Sequence, residues 1–254
     1  MDYLSVEDAR QRDGLRLVLC AGTPGVWGEA IKAVLNYKKI DYIPVAQKVG
    51  GDNPELRDWT GQTSAPVIAY NDEPIRTHYE SFIWLAERLA PQPKLIPDDA
   101  EERLRMFGLI REIAGEMGFG WCRRLQSIAA SGGPTVAPVL QRLADKYGYS
   151  DESLAASIDR SGQILRLFSD TLLRQHTKGR EFLIGDSLTA VDLYAAIFFG
   201  VMIEPMADEW IPMLDGMRFG FSQPTEGVEE FFDERLRQYR ERVFAAAIQT
   251  PLSF

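Results

Sequence analysis

Two hydrophobic rhythms divide this chain. In the first ninety residues short apolar runs alternate with helical spacing. Leu15–Cys20, "LRLVLC", predicts a strand, and "AGTPG" after it is a turn by composition. "VWGEAIKAVLNYKK" then sets Val26, Ala30, Ile31, Val34 and Leu35 on one helical face. "IDYIPVA", Ile40 to Ala46, predicts a second short strand. Its Pro44 suits a sheet edge or a strand end, because proline has no N–H to donate. A polar loop with room for a short helix follows, "GGDNPELRDWTGQTSA". "PVIAY" reads as a third strand and "EPIR" as a fourth, with an Asn71-Asp72 turn between them. "HYESFIWLAERLA" returns to helical spacing through Phe82, Leu85, Ala86 and Leu89. A helix joins the first two strands, so they run parallel; a short turn joins the last two, so they run antiparallel. Residues 1–90 are therefore expected to form a small α/β domain around a four-stranded mixed sheet.

From residue 91 the rhythm changes. "APQPKLIPDDA" is proline-rich and reads as a linker ending near residue 100. Beyond it the spacing is helical throughout, and residues 101–254 are expected to form an all-helical domain. The predicted helices are Glu101 to Gly115, continuing toward Ala129; Val136 to Tyr147; Asp151 to Gln175; Leu188 to Met202; and Val228 to Ala247. "ASGGPT" and "FGFSQPTEG" are separators. Gly115, Gly118 and Gly120 each weaken a helix interior by about 1 kcal/mol. Their density predicts a kink or a close backbone approach.

Composition narrows the function. The formal net charge is −9 and no basic tract occurs, which argues against a nucleic-acid partner. The most apolar run, Ala195 to Ile203, is too short to span a bilayer. The polar, acid-bearing start "MDYLSVEDARQRDG" does not read as a secretory signal. Cys20 and Cys122 are far apart, and with two histidines they make no metal-binding pattern. A reduced, cytoplasmic protein without a metal is the expectation.

Three segments carry a family resemblance. "SAPVI" is similar to the stretch in which a cis proline precedes a strand. "DEPIRTHYESFIWLAERL" resembles the turn, strand and helix that follow it. "FLIGDSLTAVDLYAA", Phe182 to Ala196, resembles a Thr-x-x-Asp cap inside a helical domain. In this order and spacing the chain resembles the soluble glutathione S-transferase superfamily over nearly its whole length. The resemblance implies a thioredoxin-like N-terminal domain and a helical C-terminal domain. It also implies glutathione as the thiol cofactor, an electrophilic and mostly apolar small molecule as acceptor, and a homodimer. A non-catalytic ligand carrier or interaction module of the same fold is the alternative.

Carried over residue by residue, the resemblance makes Ala65 and Pro66 the point where a peptide-like thiol pairs with the backbone. Gln62, Thr63 and Ser64 fall in the loop that meets the glycine end of glutathione. Thr77 stands where an acidic or amide residue usually grips the γ-glutamyl group, and His78 stands where serine does. Thr77 retains the ability to cap the helix that follows. At the catalytic position Gly25-Val26 occupies the place of Ser-Pro or Cys-Pro, so no Tyr, Ser or Cys is there. Thr23 is the nearest hydroxyl, and the backbone N–H groups from Gly25 to Trp27 are the other candidate thiolate donors. Trp27 either stacks over the ligand or fills core. Cys20 reads as a small buried strand residue. Met117, Trp121 and Arg124 are the candidate acceptor-binding residues; core packing and a solvated arginine are the alternative. Thr189 to Asp192 reads as a structural capping box, worth about 1–2 kcal/mol.

Overall fold

A computed structural model describes all 254 residues. Strand β1 (Leu15–Cys20) is the centre of a mixed sheet. Strand β2 (Ile43–Gln47) pairs with it in parallel and β3 (Val67–Tyr70) antiparallel, giving the order β2-β1-β3. The sheet has three strands rather than the four expected. The segment read as the fourth makes one antiparallel bridge, in which Ile68 N donates to Arg76 O at 3.0 Å and Arg76 N to Ile68 O at 2.9 Å. Pro74 has no N–H with which to extend the ladder. Two residues beyond the bridge His78 is already the N-cap of the next helix. Pro44 does lie on an edge strand, and the N-terminal segment covers that edge: Leu4 N donates to Pro44 O at 2.9 Å and Ala46 N to Leu4 O at 3.1 Å.

Helices α1 (Val6–Arg10) and α3 (Pro54–Thr60) cover one face of the sheet, closing a small cluster of Ala9, Val18, Val45, Leu56 and Val67. The first of these helices is too short for its spacing to be read from sequence. On the other face lie α2 (Val26–Tyr37) and α4 (Tyr79–Leu89). The helical part comprises α5 (Ala100–Ala114), α6 (Phe119–Ala130), α7 (Pro138–Tyr147), α8 (Asp151–His176), α9 (Ala190–Met202), α10 (Asp215–Ser222) and α11 (Glu234–Ala247). Every residue of α9 is buried, as expected for a helix that is apolar all round. A single buried cluster of 53 residues runs from Leu15 of β1 through α2 and α9 to Leu252, so the two parts share one core.

The glycine-rich stretch serves both predicted purposes. The helix read as continuing past Gly115 breaks there, with Met117 at φ 55°, and restarts as α6 at Phe119. At Gly120 three helices converge: a Cβ would lie 2.4 Å from Phe198 Cε1 and 3.1 Å from Trp27 Cζ2. Likewise the last predicted helix starts late, at Glu234, where the Asp233 side chain accepts from Leu236 N at 3.0 Å. Helix α10 occupies part of the stretch read as a separator.

The Thr189–Asp192 cap has more partners than its motif discloses. Asp192 Oδ2 accepts from Thr189 N at 2.8 Å and from Thr189 Oγ1 at 2.9 Å. Its Oδ1 accepts from Leu183 N at 2.9 Å and from the Tyr239 hydroxyl at 2.7 Å. One buried carboxyl thereby joins the start of α9, the loop before it and α11. Burial pushes this carboxyl up, and the four donors act against that shift.

Candidate active site at the start of helix α2

Helix α2 begins without a side-chain cap. Gly25 is its N-cap, and the Gly25 N–H is already taken by Thr23 O at 2.9 Å. The N–H groups of Val26, Trp27 and Gly28 have no acceptor within the chain. Three aligned donors at the positive end of a helix dipole favour an anion. Glycine is required at position 25 by what stands beside it. A Cβ there would be 2.7 Å from Cys20 Sγ and 3.1 Å from Cys20 Cβ. The thiol at the end of β1 thus fills the space that a side chain at position 25 would use. Cys20 Sγ donates to Gln47 Oε1 at 3.4 Å, and burial pushes its pKa up to about 11, so at neutral pH it is a neutral thiol.

Ala65 faces this helix start across a cleft of about 500 Å³. The Ala65–Pro66 bond is cis, and neither the N–H nor the C=O of Ala65 has a partner within the chain. A donor and an acceptor on one residue at the end of a strand can receive the backbone of an extended peptide. The far wall belongs to α7, which brings Arg142, Lys146 and the buried Tyr147 to the cleft. The α7 wall reaches the loop before α3, where a Cβ on Gly50 would be 2.8 Å from Val139 Cγ2 and 3.6 Å from Arg142 Nε. Arg57, Arg124, Arg142 and Lys146 line the cleft against two acids, Asp52 and Asp145. A molecule of net negative charge therefore presents a locally cationic opening.

A second cavity of about 290 Å³ opens from the same place, between α6, α7 and α10. Its walls are mostly apolar, including Ile128, Leu140, Leu143, Met217 and Phe221. Cys20, Gly25, Val49, Arg124 and Leu143 line both cavities and form the threshold between them.

Of the residues singled out in the sequence, Gly25, Trp27, Thr63, Ser64, Ala65 and Arg124 line the polar cleft. Trp27 also binds the two halves of the molecule together: its Nε1 donates to Ala114 O at 2.7 Å and its ring meets Phe198 edge-on at 5.3 Å. Thr23 lines the apolar cavity and not the polar cleft. Gln62, Pro66, Thr77, His78, Met117 and Trp121 line neither. Thr77 is not the cap of α4; that position is His78, which is exposed and makes no capping bond. Trp121 instead donates from Nε1 to Tyr147 O at 3.1 Å and so supports α7 from behind. Gln47, Arg142, Lys146, Tyr147, Met217 and Phe221 line the site without a signature in the sequence, and Cys20, a largely buried residue at the end of β1, also borders both cavities. In α7 Arg142 and Lys146 are themselves exposed, beside Gln141 and Asp145, so the sequence reads there as an ordinary solvated face.

No protein-family model and no curated protein matches the sequence. Solved structures do match. A glutathione S-transferase from Methylobacillus flagellatus, solved with GSH bound, superposes with a TM-score of 0.65 at 11% identity, over 92% of this chain and 96% of its own. One from Methylobacterium radiotolerans, in complex with glutathione sulfonate, gives 0.58 at 17% identity over 94% and 97%. A Tau class enzyme from mango, Mangifera indica, gives 0.55 at 17% identity over 92% and 99%. A three-stranded mixed sheet with helices on both faces, and a helical bundle packed against α2, define the class. The chain has the fold of the soluble glutathione S-transferases.

Proposed function

We propose that this protein binds glutathione in the polar cleft and transfers its thiol to an electrophile held in the apolar cavity. The observation that carries the reading is the shared threshold: an anion-favouring cleft and an apolar cavity meet at Gly25, the N-cap of α2, next to the unpaired N–H groups of the first turn. In this reading residues 1–90 hold the thiol, residues 91–100 link, and residues 101–254 supply the acceptor wall and α7. The backbone of Ala65 pairs with the cysteinyl part of glutathione. Asp52 receives its ammonium, and Arg57, Arg142 and Lys146 its carboxylates. The N–H groups of Val26, Trp27 and Gly28 stabilise the thiolate in place of the missing hydroxyl and lower its pKa. The thiolate then forms a carbon–sulfur bond with the electrophile, and the leaving group departs with the electron pair.

Calorimetric titration with reduced glutathione near neutral pH tests the reading. Binding in the micromolar to low-millimolar range is expected; a folded protein that releases no heat of binding up to 10 mM, or about that concentration, would remove it. A ligand carrier is the second reading, favoured by the lack of any side-chain hydroxyl at position 25. It predicts the same binding with no turnover of 1-chloro-2,4-dinitrobenzene.

The same reading places the protein in the reducing cytoplasm, where its two unpaired cysteines persist as thiols. No helix is long and apolar enough to cross a membrane. It also makes the protein a homodimer. Trp84 on α4 is 51% exposed and stacks on Phe107 of α5 at 6.1 Å, beside Leu104 at 74% exposure, and a second copy is the expected cover. Light scattering at micromolar concentration is expected to give twice the chain mass; the monomer mass would exclude this.

A further inference from the structure

We propose that the second ligand of this site is an amphipathic carboxylate, with its apolar body between α6, α7 and α10 and its anionic head on Arg124. The inference rests on the transferase reading above and names the chemical class of its acceptor.

The two adjacent arginines of α6 are in opposite conditions. Arg123 is 2% exposed and fully engaged: Nε donates to Met202 O at 2.8 Å, and Nη1 reaches Gln126 Oε1 at 2.8 Å, Thr225 Oγ1 at 3.1 Å and Glu229 at 3.2 Å. It ties α6 to the segment after α10. Arg124 has no ion pair; its guanidinium adjoins only the neutral hydroxyl of Tyr147, and its Nε is buried without an acceptor. Its guanidinium lies 5.2 Å from the centre of the Phe221 ring, which sets it at the threshold between the two cavities. Arg124 is the only charged side chain on the apolar cavity, and no aspartate or glutamate lines that cavity. A guanidinium in such walls lacks a counter-charge and presents a planar fork suited to a carboxylate. An uncharged ligand filling the cavity would leave that buried donor unpaired, which is unfavourable. A cationic ligand would meet like charge. The volume, about 290 Å³, is at the small end for ligand sites and favours a single ring or short chain.

The test compares 3-phenylpropionate with its uncharged isostere 3-phenylpropionamide, titrated into the full chain and followed by calorimetry. The carboxylate is expected to bind at least about tenfold more tightly, a ratio that one charge-assisted bidentate contact can supply. Arg124→Met is expected to remove the preference, so that acid and amide bind about equally; Arg124→Gln serves if the methionine variant does not fold. Leu140→Trp, which fills the cavity, is expected to abolish binding of both. Equal binding of acid and amide to the native chain overturns the proposal, as does no binding of either. So does a preference that survives loss of Arg124, or carboxylate binding that survives Leu140→Trp. Reduced glutathione is titrated separately. A carboxylate preference without glutathione binding would remove the transferase reading alone, and glutathione binding without the preference would remove this inference alone.

Discussion

Replacing Asp192 with alanine is expected to destabilise the protein by about 4 kcal/mol, enough to lower its melting temperature by about 10 °C. The capping motif by itself predicts only about 1–2 kcal/mol. The larger figure follows from what the carboxylate holds. Its removal strands the N–H of Leu183, the N–H and hydroxyl of Thr189 and the hydroxyl of Tyr239, all in residues at most 4% exposed. Each stranded buried donor is unfavourable by about 1–3 kcal/mol, and because they share one acceptor the losses overlap rather than add. Asp192→Asn keeps one oxygen for two of the donors and is expected to lose about half as much. Urea denaturation followed by tryptophan fluorescence measures both. A loss below about 1 kcal/mol for the alanine variant would mean that the network does not carry this part of the core.

The second large effect is a rescue. Gly25→Ser would ordinarily improve a helix start, since serine is a better N-cap than glycine by a few tenths of a kcal/mol. Here it is expected to destabilise by about 1–2 kcal/mol, because the new Cβ meets Cys20 Sγ at 2.7 Å and displacing the thiol breaks its contact with Gln47. In a Cys20→Ala background the same substitution is expected to be neutral or slightly stabilising. A double-mutant cycle should then show a coupling of about 1–2 kcal/mol. Additive effects would mean that Cys20 does not occupy the volume Gly25 leaves open. The double variant has a further consequence: it carries a hydroxyl at the start of α2, and bound glutathione should ionise at lower pH in it than in the native chain, as read from thiolate absorbance.

These effects separate what is legible in the sequence from what is not. Helical periodicity discloses α2 and α4, and continuous apolar runs disclose β1 and α9, which are buried on all sides. The Thr189–Asp192 motif discloses a helix start, but not Tyr239, which is 47 residues away. The "EPIR" segment has the composition of a strand, yet one proline and an early helix start reduce it to a single bridge. Gly120 signals a close approach without naming Phe198 or Trp27 as the neighbours. The exchange between Gly25 and Cys20 depends on the path of the turn between them and has no periodic signature. The cations of α7 are polar residues on an exposed amphipathic helix. Only its placement opposite Ala65 makes Arg142 and Lys146 part of a site.

In the proposed function the polar cleft and the apolar cavity are two halves of one site, joined where the thiol sulfur would lie. S-methylglutathione and S-hexylglutathione differ by five methylenes attached at that sulfur, each worth up to about 0.8 kcal/mol when fully buried. Titrated by calorimetry, the hexyl compound is expected to bind at least about tenfold more tightly than the methyl compound, as its chain enters the space between Ile128, Leu140 and Phe221. Equal affinity, or weaker binding of the hexyl compound, would mean that the sulfur does not face that cavity and would contradict the account.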